Sequence, residues 1–497
     1  SYSQYLRLRE LALSGINLEE TFLIDEIPNL SFYQASSPLR RTSLQIDQTE
    51  GFASNVRTSL KGYVQYRLTN ELEERGDMRH RFRSKLTIGE YWQFSGAVER
   101  DFTGRRRLSN RSVSYLSKNG VLRRATVGTF NKRFGLGTLY GYRGKLFSGS
   151  GIIDNEAILI PDYGGFNGLL IEAVKGHWSY QALSSISRDD THSLFTTGIH
   201  LLLNSGNLKP AITFGYDRLG NRNSGQEISL AKSAIGMNYR YNSGFSSVEM
   251  AGQTGNSSGW AAVAEGRHRF RGADLTYAGW VYSDSFRGFT SGSKAVDLSK
   301  SQLIDEVDFE YRDKRAGQKG MQLRTITTLS GRTEFVTALR VAGFYRGYSS
   351  VQLLSGLEEE ISPGLTIRAD LLLRNKVRPP SAGSTSRLRR VRLETRIQSS
   401  NWQVRTYIGH TVSTETEDYF SAFIRLKLSL PADQQLEIWS NMGRLRKDRI
   451  DYWYGYIRQS SMLRKNLSIA FKLSHRYSRS SDSGGDTQLT LELQATL

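Results

Sequence analysis

The last ten residues of the chain, Gln488 to Leu497, alternate strictly between apolar and polar side chains up to the carboxyl terminus. Apolar residues occupy the odd-numbered positions of this segment and polar residues occupy the even-numbered ones. A period of two residues places successive side chains on opposite faces, which is the geometry of a β-strand. The segment therefore predicts a strand with one fully apolar face, an unusual end for a soluble protein.

The same alternation recurs along nearly the whole chain from Val56 onward. Clear instances cover residues 56–68, 81–88, 365–374 and 423–430. Runs of about ten alternating residues separated by turns are typical of transmembrane β-barrels, because only every second side chain meets lipid. The sequence therefore predicts an all-β fold, namely a transmembrane antiparallel up-and-down β-barrel. An outer-membrane location follows from that fold.

The composition supports a barrel and excludes helical insertion into a membrane. Mean hydropathy is -0.46, and hydrophobic residues make up 38% of the 497 residues. No apolar run approaches the roughly 18 residues that a membrane-spanning helix needs. The absence of Cys excludes disulfides, thiolate zinc sites and cysteine nucleophiles. The 25 Tyr, 22 Phe and 7 Trp are enough for aromatic girdles at both membrane interfaces.

The first 50 residues differ from the rest because they lack the alternation. Residues 5–13 predict a short helix, and residues 16–30 mix acidic and apolar side chains. We therefore expect a periplasmic or plug segment over residues 1–50 and the barrel over residues 51–497. A partly ordered terminal tail is an equally good interpretation of residues 1–50. No signal peptide is visible at Ser1, so we expect the numbering to begin at a mature terminus.

Short turns alternate with longer polar stretches, as the periplasmic and extracellular ends of a barrel require. Counting the alternating runs gives about 25 strands, but two termini on the same side require an even number. The short turns lose their common phase between about residues 272 and 362. One more strand within residues 286–298 would give 26 strands, and merging two runs would give 24. We therefore predict 24–26 strands.

The formal charge of +19 would indicate nucleic acid in a soluble protein, but here the basic residues occupy alternate positions within strands. An Arg facing the middle of the bilayer costs about 2–4 kcal/mol in a barrel, so these side chains must face the lumen. A strongly basic lumen is predicted, and nucleic acid is not expected as a partner. The predicted lining residues are Arg57, Lys61, Arg81, Arg83, Lys85, Arg368, Arg405, Arg425 and Lys472.

Few motifs suggest catalysis or a cofactor. Residues 255–259 match the nucleophile-elbow string around Ser257, but an elbow requires a strand followed by a helix, and a turn between strands is expected here. Gly135-Leu136-Gly137 lacks the rest of a dinucleotide fingerprint and predicts a loop. No metal ligands occur at a typical spacing, and the acidic residues 305–310 and 358–360 are expected to pair with basic residues on neighbouring strands. We therefore expect no enzyme activity, no metal and no cofactor.

Residues 92–102 (WQFSGAVERDF) and 127–137 (VGTFNKRFGLG) resemble the early strands and the RFG-x-G loop of large outer-membrane barrels of Bacteroidota-type bacteria. In that family a helix-hairpin-helix-like region precedes the barrel, whereas the N-terminal segment here is shorter and lacks the hairpin glycines. The resemblance implies an outer-membrane barrel. The chain is also similar in size to the barrels that sheathe multihaem cytochromes in porin-cytochrome conduits.

A wall of 24–26 strands would leave a wide hole unless something filled it, since barrels of 22 strands already carry a plug. The candidates are the N-terminal 50 residues, residues 131–165 folded inward, or a partner protein from the periplasm. The first functional hypothesis is a conduit or scaffold whose basic lumen houses a partner or passes anionic or bulky cargo. The alternatives are an anion-preferring porin and, less favoured, an outer-membrane hydrolase. The lipid bilayer and lipopolysaccharide are the other expected partners. The alternative explanation of the basic wall is that its charges only neutralise one another and bind lipopolysaccharide phosphates at the rim.

Overall fold

The computed structural model describes residues 60–72, 78–100, 102, 104, 106–141, 166–188, 192–221, 224–286, 289–290, 317–344, 349–377, 386–414, 418–445, 450–478 and 485–497. The predicted N-terminal segment, its boundary at residues 50 and 51, and Arg57 lie outside these ranges. The barrel unit comprises Thr58–Leu497.

The described part of the chain consists of β-strands and their connections. The first twelve strands are β1 (Leu60–Glu71), β2 (Arg79–Ile88), β3 (Trp92–Arg100), β4 (Arg106–Leu116), β5 (Leu122–Phe130), β6 (Phe166–Lys175), β7 (Trp178–Arg188), β8 (His192–Leu203), β9 (Leu208–Asn221), β10 (Glu227–Tyr241), β11 (Gly244–Gly255) and β12 (Gly259–Phe270). The other twelve are β13 (Ala273–Tyr282), β14 (Gln318–Ser330), β15 (Thr333–Phe344), β16 (Ser349–Ser362), β17 (Leu365–Val377), β18 (Ser386–Gln398), β19 (Trp402–Ser413), β20 (Tyr419–Leu430), β21 (Gln434–Leu445), β22 (Ile450–Arg464), β23 (Leu467–Ser478) and β24 (Asp486–Thr496). None of the described segments forms a helix long and apolar enough to cross a membrane.

The strands form one closed, antiparallel, 24-stranded sheet. Each strand pairs with its neighbour in sequence, and the ring closes where β1 pairs with β24, with Arg67 opposite Glu492. The all-β barrel prediction is therefore confirmed. Of the two predicted even counts, 24 is right.

In the structure the short turns keep their common phase across the connection between β13 and β14. These strands pair directly, with Trp280 opposite Gly320, so the wall has no strand between them. The short turns at residues 271–272, 331–332 and 363–364 consequently all lie at one end of the barrel. The residues 286–298 that could have supplied a further strand fall mostly outside the described ranges. The sequence also predicts a short turn at residues 462–464, and this position is wrong by a few residues, because β22 extends to Arg464 and the turn is residues 465–466.

The two faces of the wall differ sharply in exposure and polarity. On β19, Ile408 is 65% exposed, whereas the adjacent Tyr407 is 7% exposed. On β18, Leu393 is 54% exposed and Glu394 is 1% exposed. Side chains converge on the concave side of a closed barrel, so the buried polar set lies inside and the exposed apolar set faces outward to lipid. The fold is thus that of an outer-membrane β-barrel.

Buried apolar residues gather in two places on the inner face. The larger cluster combines residues 130–140 with the wall and includes Phe134, Tyr140, Leu170 and Trp280. The smaller cluster crosses β15 to β18 through Val336, Leu354, Leu372 and Leu388. Apolar packing inside this barrel is therefore local, and much of the inner face remains polar.

Candidate functional site in the barrel lumen

The first group of predicted basic residues lies on β17 to β19, in a buried network of alternating charge. Arg368 donates from Nε to Asp370 Oδ1 at 3.0 Å, and Arg392 donates from Nη2 to Asp370 Oδ2 at 2.9 Å. All three side chains are buried. Arg368 also donates to Glu358 Oε2 at 3.2 Å, which confirms the expected pairing for that member of the 358–360 cluster. The other cluster, residues 305–310, lies outside the described part of the chain.

Arg405 extends this network on β19. Its Nε donates to Glu394 Oε1 at 2.8 Å, and Nε of Arg396 donates to the same oxygen at 2.5 Å. Glu394 thus accepts hydrogen bonds from two guanidinium groups on neighbouring strands. One carboxylate holds two basic groups here, so the pairing neutralises only part of the positive charge.

Arg425 and Lys472 lie farther along the same wall. Arg425 donates from Nε to Glu437 Oε1 at 2.7 Å. Lys472 donates from Nζ to the hydroxyl of Tyr454 at 3.1 Å, and its ammonium lies 4.3 Å from the ring centroid of Tyr456. These two basic groups are held by aromatic as well as acidic partners.

The remaining predicted residues lie on β1 and β2. Arg81 Nε lies 3.7 Å from Glu99 Oε2, and Arg79 also pairs with Glu99. Arg83 and Lys85 follow Arg81 at two-residue steps and therefore share its face of β2. Lys61 is opposite Thr87 in the register and is exposed. That the nine predicted residues line a path for cargo stays a prediction.

Basic side chains lie on the inner face of most strands from β17 around to β2, and further arginines face inward on β12, β14 and β15. Buried small or apolar residues predominate on the inner face of β6 to β10. They include Leu170, Leu183, Thr196, Thr213, Leu230 and Ala234. In a closed ring of 24 strands, β9 is diametrically opposite β21. The lumen therefore has a basic side and a nearly neutral side.

The neutral side is covered by residues 131–141, which follow β5 and fold inward; we call them the inward segment. Glu249 on β11 accepts hydrogen bonds from the backbone N–H groups of Leu136 and Thr138, each at 2.8 Å. Gly135, with φ +55°, brings the backbone so close that a Cβ there would lie 1.9 Å from Glu249 Oε2. The loop predicted at Gly135-Leu136-Gly137 is present, and it is anchored by a buried carboxylate.

Tyr140 fixes the other end of the inward segment. Its hydroxyl donates to the carbonyl oxygen of Thr197 at 2.9 Å, and its ring lies over Gly198 and Gly215. A Cβ at Gly215 would lie 1.6 Å from the Tyr140 hydroxyl oxygen, so only glycine leaves room for this ring. Burial raises the pKa of the Tyr140 hydroxyl well above its usual value, and the nearby Asp217 carboxylate raises it further.

A buried ion pair lies beneath the inward segment. Lys232 on β10 pairs with Asp217 on β9, and both side chains are fully buried. The Lys232 ammonium lies 5.8 Å from the centroid of the Tyr140 ring. Phe134 stacks on His200 with centroids 5.3 Å apart. These contacts show that residues 131–141 pack on the inner face of the wall, in agreement with the first part of the predicted filler 131–165. Residues 142–165 lie outside the described part of the chain.

Several residues of the lumen escaped the sequence analysis. Arg392 and Arg396 lie on β18, where a run of alternate arginines in the sequence could have predicted that both face the lumen. No sequence pattern predicts the role of Glu249, because an acidic residue in a strand does not indicate which backbone N–H groups it will bind. The aromatic residues that approach Lys472 were also missed, since Tyr and Trp in a barrel were assigned to the membrane interfaces.

The candidate catalytic motif has an ordinary structural role. Residues 256–258 form the turn between β11 and β12, and the Ser257 hydroxyl accepts a hydrogen bond from Gln253 Nε2 at 3.1 Å. The turn joins two strands, so the strand-to-helix geometry of a nucleophile elbow is not present at Ser257. Among the described residues, no group of three or more His, Asp or Glu side chains could hold a metal ion.

Comparison with known proteins supports the fold. No family model matches the sequence, and no curated protein matches it. The siderophore receptor PirA from Pseudomonas aeruginosa is similar in structure, with a TM-score of 0.51 and 10% identity over 88% of this chain and 80% of the receptor. The ferric-catecholate receptor Fiu from E. coli K12 gives a TM-score of 0.47 at 9% identity, covering 88% and 81% of the two chains. The P pilus usher PapC gives 0.44 at 8% identity, covering 88% and 99%.

Proposed function

We propose that this outer-membrane barrel is a non-enzymatic conduit or scaffold whose basic lumen holds an acidic partner or passes anionic or bulky cargo. The observation that supports this most directly is the separation of charge across the wall. Exposed apolar side chains cover the outside, and basic side chains follow one another along the inside from β17 to β2. Charge complementarity then selects what enters.

Ion pairs within the wall neutralise part of the positive charge on the inner face. Asp370, Glu394, Glu437 and Glu99 each bind basic groups. The chain nevertheless has 67 Lys and Arg against 48 Asp and Glu, so pairing leaves an excess of positive charge. Arg81, Arg83 and Lys85 stand on one face of β2, where Glu99 on β3 is the nearest acidic partner of Arg81.

The inward segment supports a conduit more than an open porin. It covers the neutral side of the lumen, so that any passage runs along the basic side. A narrowed passage with one charged wall favours selection of cargo over free diffusion. An anion-preferring porin is the alternative, and the same basic wall would produce its selectivity.

Planar-bilayer recording of the purified chain separates these two functions. A conduit occupied by a partner is silent until the partner is removed, whereas a porin conducts steadily and prefers anions from the start. Purification in mild detergent, followed by identification of co-purifying chains, tests for the partner directly. Cation preference in the stripped protein would contradict both functions.

The finer assignments rest on the sequence, namely on the family resemblance, the basic charge and the width of the barrel. We propose that the chain is related to the Bacteroidota-type barrels with a preceding helix-hairpin-helix-like region. Lipopolysaccharide phosphates at the rim are the proposed outer-leaflet partner, and a periplasmic protein is the proposed lumenal one. We propose no hydrolase activity, and Ser257→Ala is expected to leave the function unchanged.

A further inference from the structure

Four aromatic side chains form a continuous row on the inner face of β19 to β22, and we call it the aromatic strip. Tyr407 and Phe423 stack with centroids 5.1 Å apart, and Phe423 meets Trp439 edge to face at 5.5 Å. Trp439 and Tyr456 stack at 5.6 Å. The strip thus crosses four adjacent strands without interruption.

Each strand of the strip also places a charged residue two positions away, on the same face. The pairs are Arg405 with Tyr407, Arg425 with Phe423, Glu437 with Trp439, and Arg458 with Tyr456. The Arg405 guanidinium lies 5.7 Å from the Phe423 centroid, and the Lys472 ammonium lies 4.3 Å from the Tyr456 centroid. Rings and mostly basic groups therefore form two parallel rows along the wall.

Sheet stability alone gives a partial explanation of the strip. Cross-strand aromatic pairs stabilise a sheet by packing against one another. Aromatic residues of barrels otherwise concentrate in the outer girdles, and barrel interiors are polar. Phe423, Trp439 and Tyr456 are only partly buried on that polar inner face, directly opposite the inward segment. A ligand that passed through the lumen would travel between these two features.

We propose that the aromatic strip and its flanking basic residues bind an acidic polysaccharide. This proposal rests on the proposed function, because the ligand must enter the lumen. An aromatic face is electron-rich and attracts the polarised C–H groups on the flat side of a sugar ring. Arginine side chains bind the carboxylates of uronic acid units by charge-assisted hydrogen bonds. Asn441 Oδ1 accepts a hydrogen bond from the Tyr407 hydroxyl at 3.1 Å, and the Asn441 Nδ2 group can donate to sugar hydroxyls.

The charge distribution favours a polysaccharide over a nucleic acid. Glu437 and Glu394 lie within the same part of the wall and are held by Arg425 and Arg405. A nucleic acid carries a charge on every nucleotide and would meet repulsion from both carboxylates. A polysaccharide in which neutral sugars separate the uronic acid units, such as hyaluronate, can place uncharged units at these acidic positions.

The test measures binding of fluorescent hyaluronate to the full chain in detergent, with Trp439→Ala as the main variant. We expect about tenfold weaker binding, a change of about 1.4 kcal/mol, because a central aromatic contact is lost. Trp402→Ala is the matched control, since Trp402 is on the outer face of β19 and is 39% exposed. Arg405→Gln is the second variant, and it is expected to weaken binding and reduce its salt dependence.

Three results would overturn the proposal. They are equal affinities for the wild type and Trp439→Ala, equal binding of neutral dextran, and tighter binding of single-stranded DNA with the same dependence on Trp439. Strand content by circular dichroism verifies that each variant has folded. Bilayer recording separates this proposal from the conduit itself: a barrel that conducts only after its partner is removed, and that hyaluronate does not then block, keeps the conduit and rejects the polysaccharide.

Discussion

At the scale of single residues, Asp370 shows how the inner wall depends on its few acidic groups. It binds Arg368 at 3.0 Å and Arg392 at 2.9 Å, and all three are buried. Asp370→Asn would leave two buried guanidinium groups without this carboxylate, which costs about 3–5 kcal/mol. We expect the urea concentration at the unfolding midpoint to fall accordingly.

The control for Asp370 is Glu227→Gln. Glu227 pairs with Arg218 at 2.7 Å, but both side chains are about half exposed. Water screens an exposed ion pair, so the loss of this pair is expected to shift the midpoint little. Equal shifts for the two variants would show that burial does not determine how much these ion pairs contribute to stability.

Gly215 supports a second prediction at this scale. A Cβ at this position would overlap the Tyr140 hydroxyl, so Gly215→Ala is expected to displace the inward segment from the wall. Trypsin should then cleave more readily after Lys132 or Arg133. Gly252→Ala is the control, because nothing lies within 4 Å of its Cβ position. Unchanged cleavage in Gly215→Ala would mean that Tyr140 does not anchor the segment.

At the scale of structural elements, the inward segment depends on Glu249. Glu249→Ala would leave the N–H groups of Leu136 and Thr138 without their acceptor, at about 1–3 kcal/mol each. We expect the segment to detach and the single-channel conductance to rise. Gln253→Ala on the same strand leaves both N–H groups satisfied and serves as the control. A conductance equal to that of the wild type would contradict a narrowing role for the segment.

The orientation of a whole strand is also testable. Ile408 is at the middle of β19 and faces outward, so Ile408→Arg is expected to destabilise the folded barrel by about 2–4 kcal/mol. Gln403→Arg on the inner face of the same strand is expected to cost much less. Folding titrations in lipid vesicles measure the free energy of unfolding of both variants. A larger loss of stability in Gln403→Arg than in Ile408→Arg would mean that the inner and outer faces of β19 are assigned the wrong way round.

At the scale of the whole molecule, the excess of basic residues predicts selectivity. Replacing Arg81, Arg83 and Lys85 together by Gln removes three positive charges from one face of β2. We expect the reversal potential in a salt gradient to move toward cation permeation, and the shift to shrink at high ionic strength. Arg218→Gln, on the outer face of β9, is expected to leave the reversal potential unchanged.

The sequence by itself determined the fold class, because the alternation of apolar and polar residues is a local property of each strand. The outward direction of Ile408 and the inward direction of Arg405 follow from the energy of placing each group in lipid. The strand count was less certain, since the 283–317 connection contains alternating stretches that a local pattern does not distinguish from wall strands.

Only the tertiary structure decided which residues meet across the lumen. Glu249 binds Leu136 and Thr138 over more than 100 positions of sequence separation. The aromatic strip exists because the register of β19 to β22 aligns four rings, and register depends on pairing between strands rather than on any one of them. Contacts of this kind depend on closure of the ring, which no local pattern encodes.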